Sequence, residues 1–151
     1  QDQSMRCWGW NKFGQLGLGH TETIGDDEMP ASAGPVDVDG DVDRVATGSL
    51  HTCALLVDGR VRCWGDNRFG QLGYGHERAL GAKSAPAKTG TVYLGEKATD
   101  IAAGRFHTCA ILESGALRCW GLNARGQLGL GHTDDVGDDE PAGSVRPVPI
   151  E

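Results

Sequence analysis

The sequence is poor in aromatic residues, at 6%, and its longest uninterrupted apolar run is residues 53–57. A bilayer-spanning helix needs about 20 apolar residues, so no segment of this kind crosses or anchors in a membrane. Positive charge is scarce as well: 14 Lys and Arg stand against 21 Asp and Glu, for a formal net charge of −7 and no basic run. That balance disfavours nucleic acid and anionic lipid as partners. Nucleotide-binding motifs are missing too. The Gly14-x-x-Gly17-x-Gly19 stretch lacks the Lys-Ser/Thr of a phosphate loop, and its glycine spacing is wrong for a dinucleotide fold. Ser49 and Ser144 sit in no nucleophile elbow. The chain opens at Gln1 with no Met and no signal-like segment, as expected of a piece cut or processed from a longer protein.

Glycine, by contrast, is abundant at 24 residues, and the glycines fall at fixed places in a repeat. Residues 6–20, 62–76 and 118–132 are three copies of one stretch, each displaced by 56 residues and identical at eleven of fifteen positions. A fixed period of this length marks a repeat architecture, in which each unit buries its faces on its neighbours. The expected units are approximately 1–34, 35–90 and 91–146, with 147–151 beginning another; the whole of 1–151 then forms part of one larger array.

Within the period, four short strands are expected. Val36 and Val38 alternate with aspartates, and the equivalent places carry Val92 and Leu94, then Val148 and Ile150, the period-2 pattern of a half-buried strand. Residues 44–48 and 100–104 are small, which suits a crowded axis. Residues 51–57 and 107–113 are apolar, and 60–65 and 116–121 return antiparallel after Asp58-Gly59 and Ser114-Gly115. Four-stranded units repeated radially make an all-β fold, the β-propeller. Residues 20–30 read as a long acidic loop.

The cysteines depend on register. A three-residue turn at Val57-Asp58-Gly59, with Gly59 left-handed, sets Leu56 against Arg60 and Cys53 against Cys63. The same turn at Ser114-Gly115 sets Cys109 against Cys119. A two-residue turn would shift the pairing by one and send each pair to opposite faces. The sequence permits both, and the first accounts for two pairs at one spacing. Opposed antiparallel residues come close enough for disulfides, so Cys53–Cys63 and Cys109–Cys119 are the expected bridges. Cys7 would pair ten positions upstream, before Gln1. Buried free thiols are the alternative, and a zinc site is disfavoured by the spacing. Disulfides would place the protein outside the cytoplasm, in a periplasm, on a surface or secreted.

Gly48-x-x-His51-Thr52 and Gly104-x-x-His107-Thr108, each followed by a Gly turn and then Trp-Gly-x-Asn-x-x-Gly-Gln-Leu-Gly, resemble the regulator of chromosome condensation repeat family across the whole chain. The resemblance implies blades of a seven-bladed propeller, which at this period would need roughly 390 residues. The cysteine-bearing form here is similar to secreted or surface repeat proteins of bacteria, myxobacteria especially. Known members include an exchange factor for a small GTPase that also binds chromatin, a plant ultraviolet-B photoreceptor and a secreted inhibitor of β-lactamases. The photoreceptor carries Gly-Trp-Arg-His where this chain has Gly48-Ser49-Leu50-His51 and Gly104-Arg105-Phe106-His107, so its light-sensing tryptophans are absent.

Trp8, Trp64 and Trp120 recur at the structural period and are expected to fill the gaps between units. His51 and His107, and likewise His20, His76 and His132, are expected to make backbone hydrogen bonds rather than perform acid–base work. The variable feature is the long loop, with Asp26-Asp27-Glu28 and Asp138-Asp139-Glu140 in equivalent places and Ala82-Lys83-Ser84 between them. Clustered carboxylates suit calcium, yet no EF-hand spacing is present, so neither metal nor cofactor is expected. The expectation is therefore a non-catalytic scaffold that binds a protein partner through these loops. Regulation of a small GTPase and inhibition of a secreted enzyme are the alternatives, and self-association through bare unit faces is expected.

Overall fold

The structure is a computed structural model describing residues 3–150. Gln1, Asp2 and Glu151, which belong to the expected first and last units, lie outside the described residues.

Two three-stranded antiparallel sheets carry the fold. The first contains β1 (Val42–Thr47), β2 (His51–Leu56) and β3 (Val61–Gly65), in that order; the second contains β4 (Ala98–Ala103), β5 (His107–Leu112) and β6 (Leu117–Gly121). Of the two registers the sequence permits, the structure has the three-residue turn. Gly59 takes φ 87° and donates its N–H to the Leu56 carbonyl, while Leu56 N–H reaches the Arg60 carbonyl, both at 2.9 Å. Cys53 consequently faces Cys63, and Cys109 faces Cys119. β1 and β4 begin two residues earlier than the small-residue pattern suggests, because a bulge between Val42 and Arg44, repeated between Ala98 and Asp100, absorbs one residue.

The fourth segment of each unit is extended but, among the described residues, forms no ladder. Val92 donates to the Val61 carbonyl at 2.8 Å, and Val36 and Val148 make the same single bond to Met5 and Leu117. The reason lies in the turn after the next sheet: the Asp37 and Tyr93 carbonyls accept from Ala87 and Gly143, in the short 3-10 turns Pro86–Lys88 and Ala142–Ser144. Backbone groups that could have extended the sheet are used to splice one unit to its neighbour. Each sheet therefore takes its outer segment from the following copy of the repeat.

The core lies between the sheets. Cys53, Leu55 and Val61 on the first share one apolar cluster with Ile101 and Leu112 on the second. Stacking explains the burial: every residue of β2 is buried, whereas β5 alternates and leaves Ile111 44% exposed. The opposite face shows the same effect, since Ile101 is 9% exposed against the first sheet while its counterpart Val45 is 45% exposed. Among the described residues, no helix is long and apolar enough to cross a membrane.

Candidate functional site

The loop after the last strand of each unit is held by one asparagine. Asn67 donates through Nδ2 to the His76 and Arg78 carbonyls, and its Oδ1 accepts the Leu72 N–H at 3.0 Å. Asn11 and Asn123 make the same three bonds in their copies. Gln15, Gln71 and Gln127 each accept, through Oε1, the N–H two residues before them. His20, His76 and His132 accept through Nδ1 the N–H two residues after them. A glycine-rich segment with no regular secondary structure thus acquires a defined shape from its own side chains.

The next set of bonds joins units. The Gln71 carbonyl accepts from Thr108 Oγ1 at 2.9 Å and Trp120 Nε1 at 3.0 Å, as the Gln15 carbonyl does from Thr52 and Trp64. Trp64 and Trp120 are 0% exposed. Trp8, with no copy of this loop before it among the described residues, is 62% exposed. His51 Nε2 lies 2.9 Å from Thr108 Oγ1. Because the Thr108 proton goes to Gln71, the His51 Nε2–H must be the donor, which leaves Nδ1 bare and buried without a partner. His51 thus bonds a neighbouring unit's hydroxyl rather than backbone, and burial lowers its pKa to about 4. His107 is also lowered by burial.

Arginine performs the remaining bracing. Arg62 reaches the Pro86 and Gly90 carbonyls at 2.9 and 2.8 Å and Asp39 at 3.2 Å, and Arg118 binds the Ala142 and Val145 carbonyls. Both cysteine pairs stand at disulfide distance, with Cα atoms 4.1 Å apart. Such closeness fits the non-hydrogen-bonded positions of an antiparallel pair. Cys7 is free, its thiol raised by burial to about 11, and it lines an open groove of about 520 Å³ with Trp8, Trp10 and Val45.

The acidic loops stand apart from this bracing. Asp26, Asp27 and Glu28 form one carboxylate cluster and Asp138, Asp139 and Glu140 another, each with its oxygens within 4.8 Å of one another. Glu28 and Glu140 fold back to accept the Gly25 and Gly137 N–H groups. Burial, followed by a hydrogen bond with Asp139 and its negative charge, raises Glu140 to about 7. Glu28 is raised chiefly by its hydrogen bond with Asp27. The second cluster borders an open groove of about 700 Å³ with His132, Asp134 and Asp135. The loop also packs on the preceding unit: a side chain at Gly70 would strike the Asp138 backbone.

Models of the regulator of chromosome condensation (RCC1) repeat match residues 7–55 and 58–111, and a second form of the repeat matches 42–71 and 98–127. The chain belongs to the RCC1 repeat family. It is 32% identical over 132 residues to the ultraviolet-B receptor UVR8 of Arabidopsis thaliana, covering 87% of this chain and 28% of that protein. It is 38% identical over 188 residues to the probable E3 ubiquitin-protein ligase HERC3 of Homo sapiens, covering 89% and 17%. To the X-linked retinitis pigmentosa GTPase regulator homolog of Caenorhabditis elegans it is 32% identical over 135 residues, covering 87% and 9%. The chain therefore spans less than a third of these curated relatives. Among solved structures it resembles human WBSCR16 (TM-score 0.70, 21% identity, 93% of this chain and 33% of that one). It also resembles Prp20p of Saccharomyces cerevisiae, which is described with its binding to Gsp1p and histones (TM-score 0.64, 23% identity, 89% and 33%). These likenesses establish the RCC1-type β-propeller fold.

In this RCC1 array the most heavily bonded side chains include several whose role the motif alone does not reveal: Asn67, Gln71, Thr108 and Arg62. Their signal was present, since Asn, Gln and Arg are identical in all three copies of the stretch. Identity across copies marks bracing, and the loops are where copies differ.

Proposed function

We propose that this chain is a non-catalytic interaction module, part of a disulfide-stapled propeller of an extracytoplasmic bacterial protein, which binds a protein partner through its blade loops. The observation that carries this reading is the division of labour within the repeat. Residues common to all copies are engaged in holding loops and joining units, whereas the acidic triads occur in two copies and are replaced by Ala82-Lys83-Ser84 in the other. A rigid support with loops of differing chemistry is the arrangement that binding proteins use. The relatives support it, since a light receptor, a ubiquitin ligase and a GTPase regulator homolog share the repeat and not a reaction. The cysteine pairs at disulfide distance support an oxidising compartment.

The test uses Asp138→Ala together with Asp139→Ala in the full-length protein as bait in its native extracytoplasmic fraction. The expected outcome is an unchanged melting temperature with loss of the recovered partner. Unchanged recovery, or loss of binding and fold together, rejects the loop reading. Regulation of a small GTPase is the second reading, favoured by the likeness to the GTPase regulator homolog and to Prp20p. It requires accelerated nucleotide release from a GTPase and reduced cysteines, and the interaction module predicts neither.

A further inference from the structure

One continuous strip of rings and guanidinium groups crosses the boundaries between units on the end of the molecule where the loop after each last strand meets the β1–β2 and β4–β5 turns. Trp10 meets Phe13 edge-on with centroids 5.8 Å apart. The Arg68 guanidinium lies 5.5 Å from the Phe13 ring and 5.8 Å from Phe69, so one cation is shared between two units. Phe69 then meets Phe106 at 5.3 Å, and Arg105 covers the Phe106 ring at 5.2 Å. Trp10, Arg68 and Arg105 are exposed, and the three phenylalanines are half-buried.

Folding does not account for this strip. Each of its positions differs between copies, with Lys12, Arg68 and Ala124 at one place and Phe13, Phe69 and Arg125 at the next, while Gly48, His51, Gly104 and His107 around the turns hold constant. Arg68 is anchored from beneath by the buried Asp66, which accepts its Nε–H at 2.9 Å. Arg105 has no side-chain hydrogen bond and no ion pair among the described residues. A guanidinium stacked on a ring keeps its edge donors free, in the fork geometry that matches a carboxylate. Arginine and aromatic rings are also the residues that concentrate binding energy at protein interfaces. With Arg68 paired to Asp66, the uncompensated charge of the strip is the Arg105 guanidinium, and on a chain of net charge −7 it is this group that offers charge complementarity to an acidic segment.

We propose that the strip from Trp10 to Arg105 is a docking site for an extended acidic segment of a protein partner, with carboxylates on the guanidinium edges and aliphatic stems on the rings. The proposal rests on the interaction-module reading but uses residues distinct from the acidic loops. Its test is fluorescence anisotropy of a labelled oligoglutamate peptide against the full chain and three variants. Arg105→Glu should weaken binding about tenfold or more. Lys88→Glu, the same charge change on an exposed residue away from the strip, should leave it within about twofold. Phe106→Ala should weaken binding at an unchanged salt dependence, whereas Arg105→Glu should flatten that dependence.

Absence of oligoglutamate binding overturns the proposal, as does equal weakening by Arg105→Glu and Lys88→Glu, or stronger binding of a single-stranded oligonucleotide. Self-association abolished by Arg105→Glu without peptide binding would assign the strip to a second copy and also overturn it. Retained partner recovery by the Arg105→Glu protein would then leave the acidic-loop reading standing, which separates the two failures.

Discussion

Trp120→Ala is expected to cost about 3–5 kcal/mol in urea unfolding, as for other fully buried aromatics, whereas Trp8→Ala should cost under about 1 kcal/mol. The two occupy the same place in the motif; one is 0% exposed and the other 62%. Equal costs would refute the claim that the tryptophan acts by filling the gap between units. His51 gives a second prediction at this scale. Burial holds its pKa near 4, below its ordinary 6.5, so protonation favours the unfolded chain. Its stabilising contribution is complete above about pH 6.5 and falls as the pH drops toward 4, by an amount on the order of 2–3 kcal/mol. Glu140 runs the other way: its pKa is raised to about 7, so its contribution is present below its ordinary value and lost as the pH rises through 7. Being partly exposed, it offsets little of the His51 effect. Urea midpoints at pH 7 and pH 4.5 should differ in the parent chain and converge in His51→Gln. At this scale the burial of Trp64 and Trp120 was legible from their period, whereas Trp8, expected to fill a gap with them, is exposed. The hydroxyl partner of His51 was not legible, because the contact joins residues 57 apart, one residue off the period.

At the scale of elements, the loop after each last strand is expected to stand or fall with its asparagine. Asn67→Ala removes three hydrogen bonds and should lower stability by about 2–3 kcal/mol. Asn67→Asp should be no better, since it sets a carboxylate against the His76 and Arg78 carbonyls. Thermal melts of the two variants check this, and a harmless Asn67→Asp would show that the acceptor role alone matters. Gly73→Ala tests the splice between units. At φ 82°, its Cβ would stand 2.7 Å from Trp120 Nε1, so the variant should lose about 1–3 kcal/mol and expose the indole to a fluorescence quencher. Strand positions and register were readable because Gly59 demands a left-handed turn and the cysteine pairs choose between two pairings. The ladder of the outer segment was misjudged. The period-2 burial of Val92 and Leu94 is real, yet alternation reports which side is covered and says nothing of where the Tyr93 carbonyl finds its donor.

For the whole molecule, the fold follows from repetition: a 56-residue period, units stacked face to face, and loops gathered at the unit boundaries. The arginine–aromatic strip was invisible in the sequence because it assembles from residues that break the period, brought together only when units stack. The proposed function requires a propeller stapled by hairpin disulfides that displays those loops in an oxidising setting. The decisive measurement is intact mass after thiol alkylation, with and without prior reduction. One alkylated cysteine, Cys7, is expected before reduction and all five after it, with unreduced digests linking Cys53 to Cys63 and Cys109 to Cys119. Alkylation of all five in protein kept oxidising throughout would contradict it and return weight to a role inside the cell.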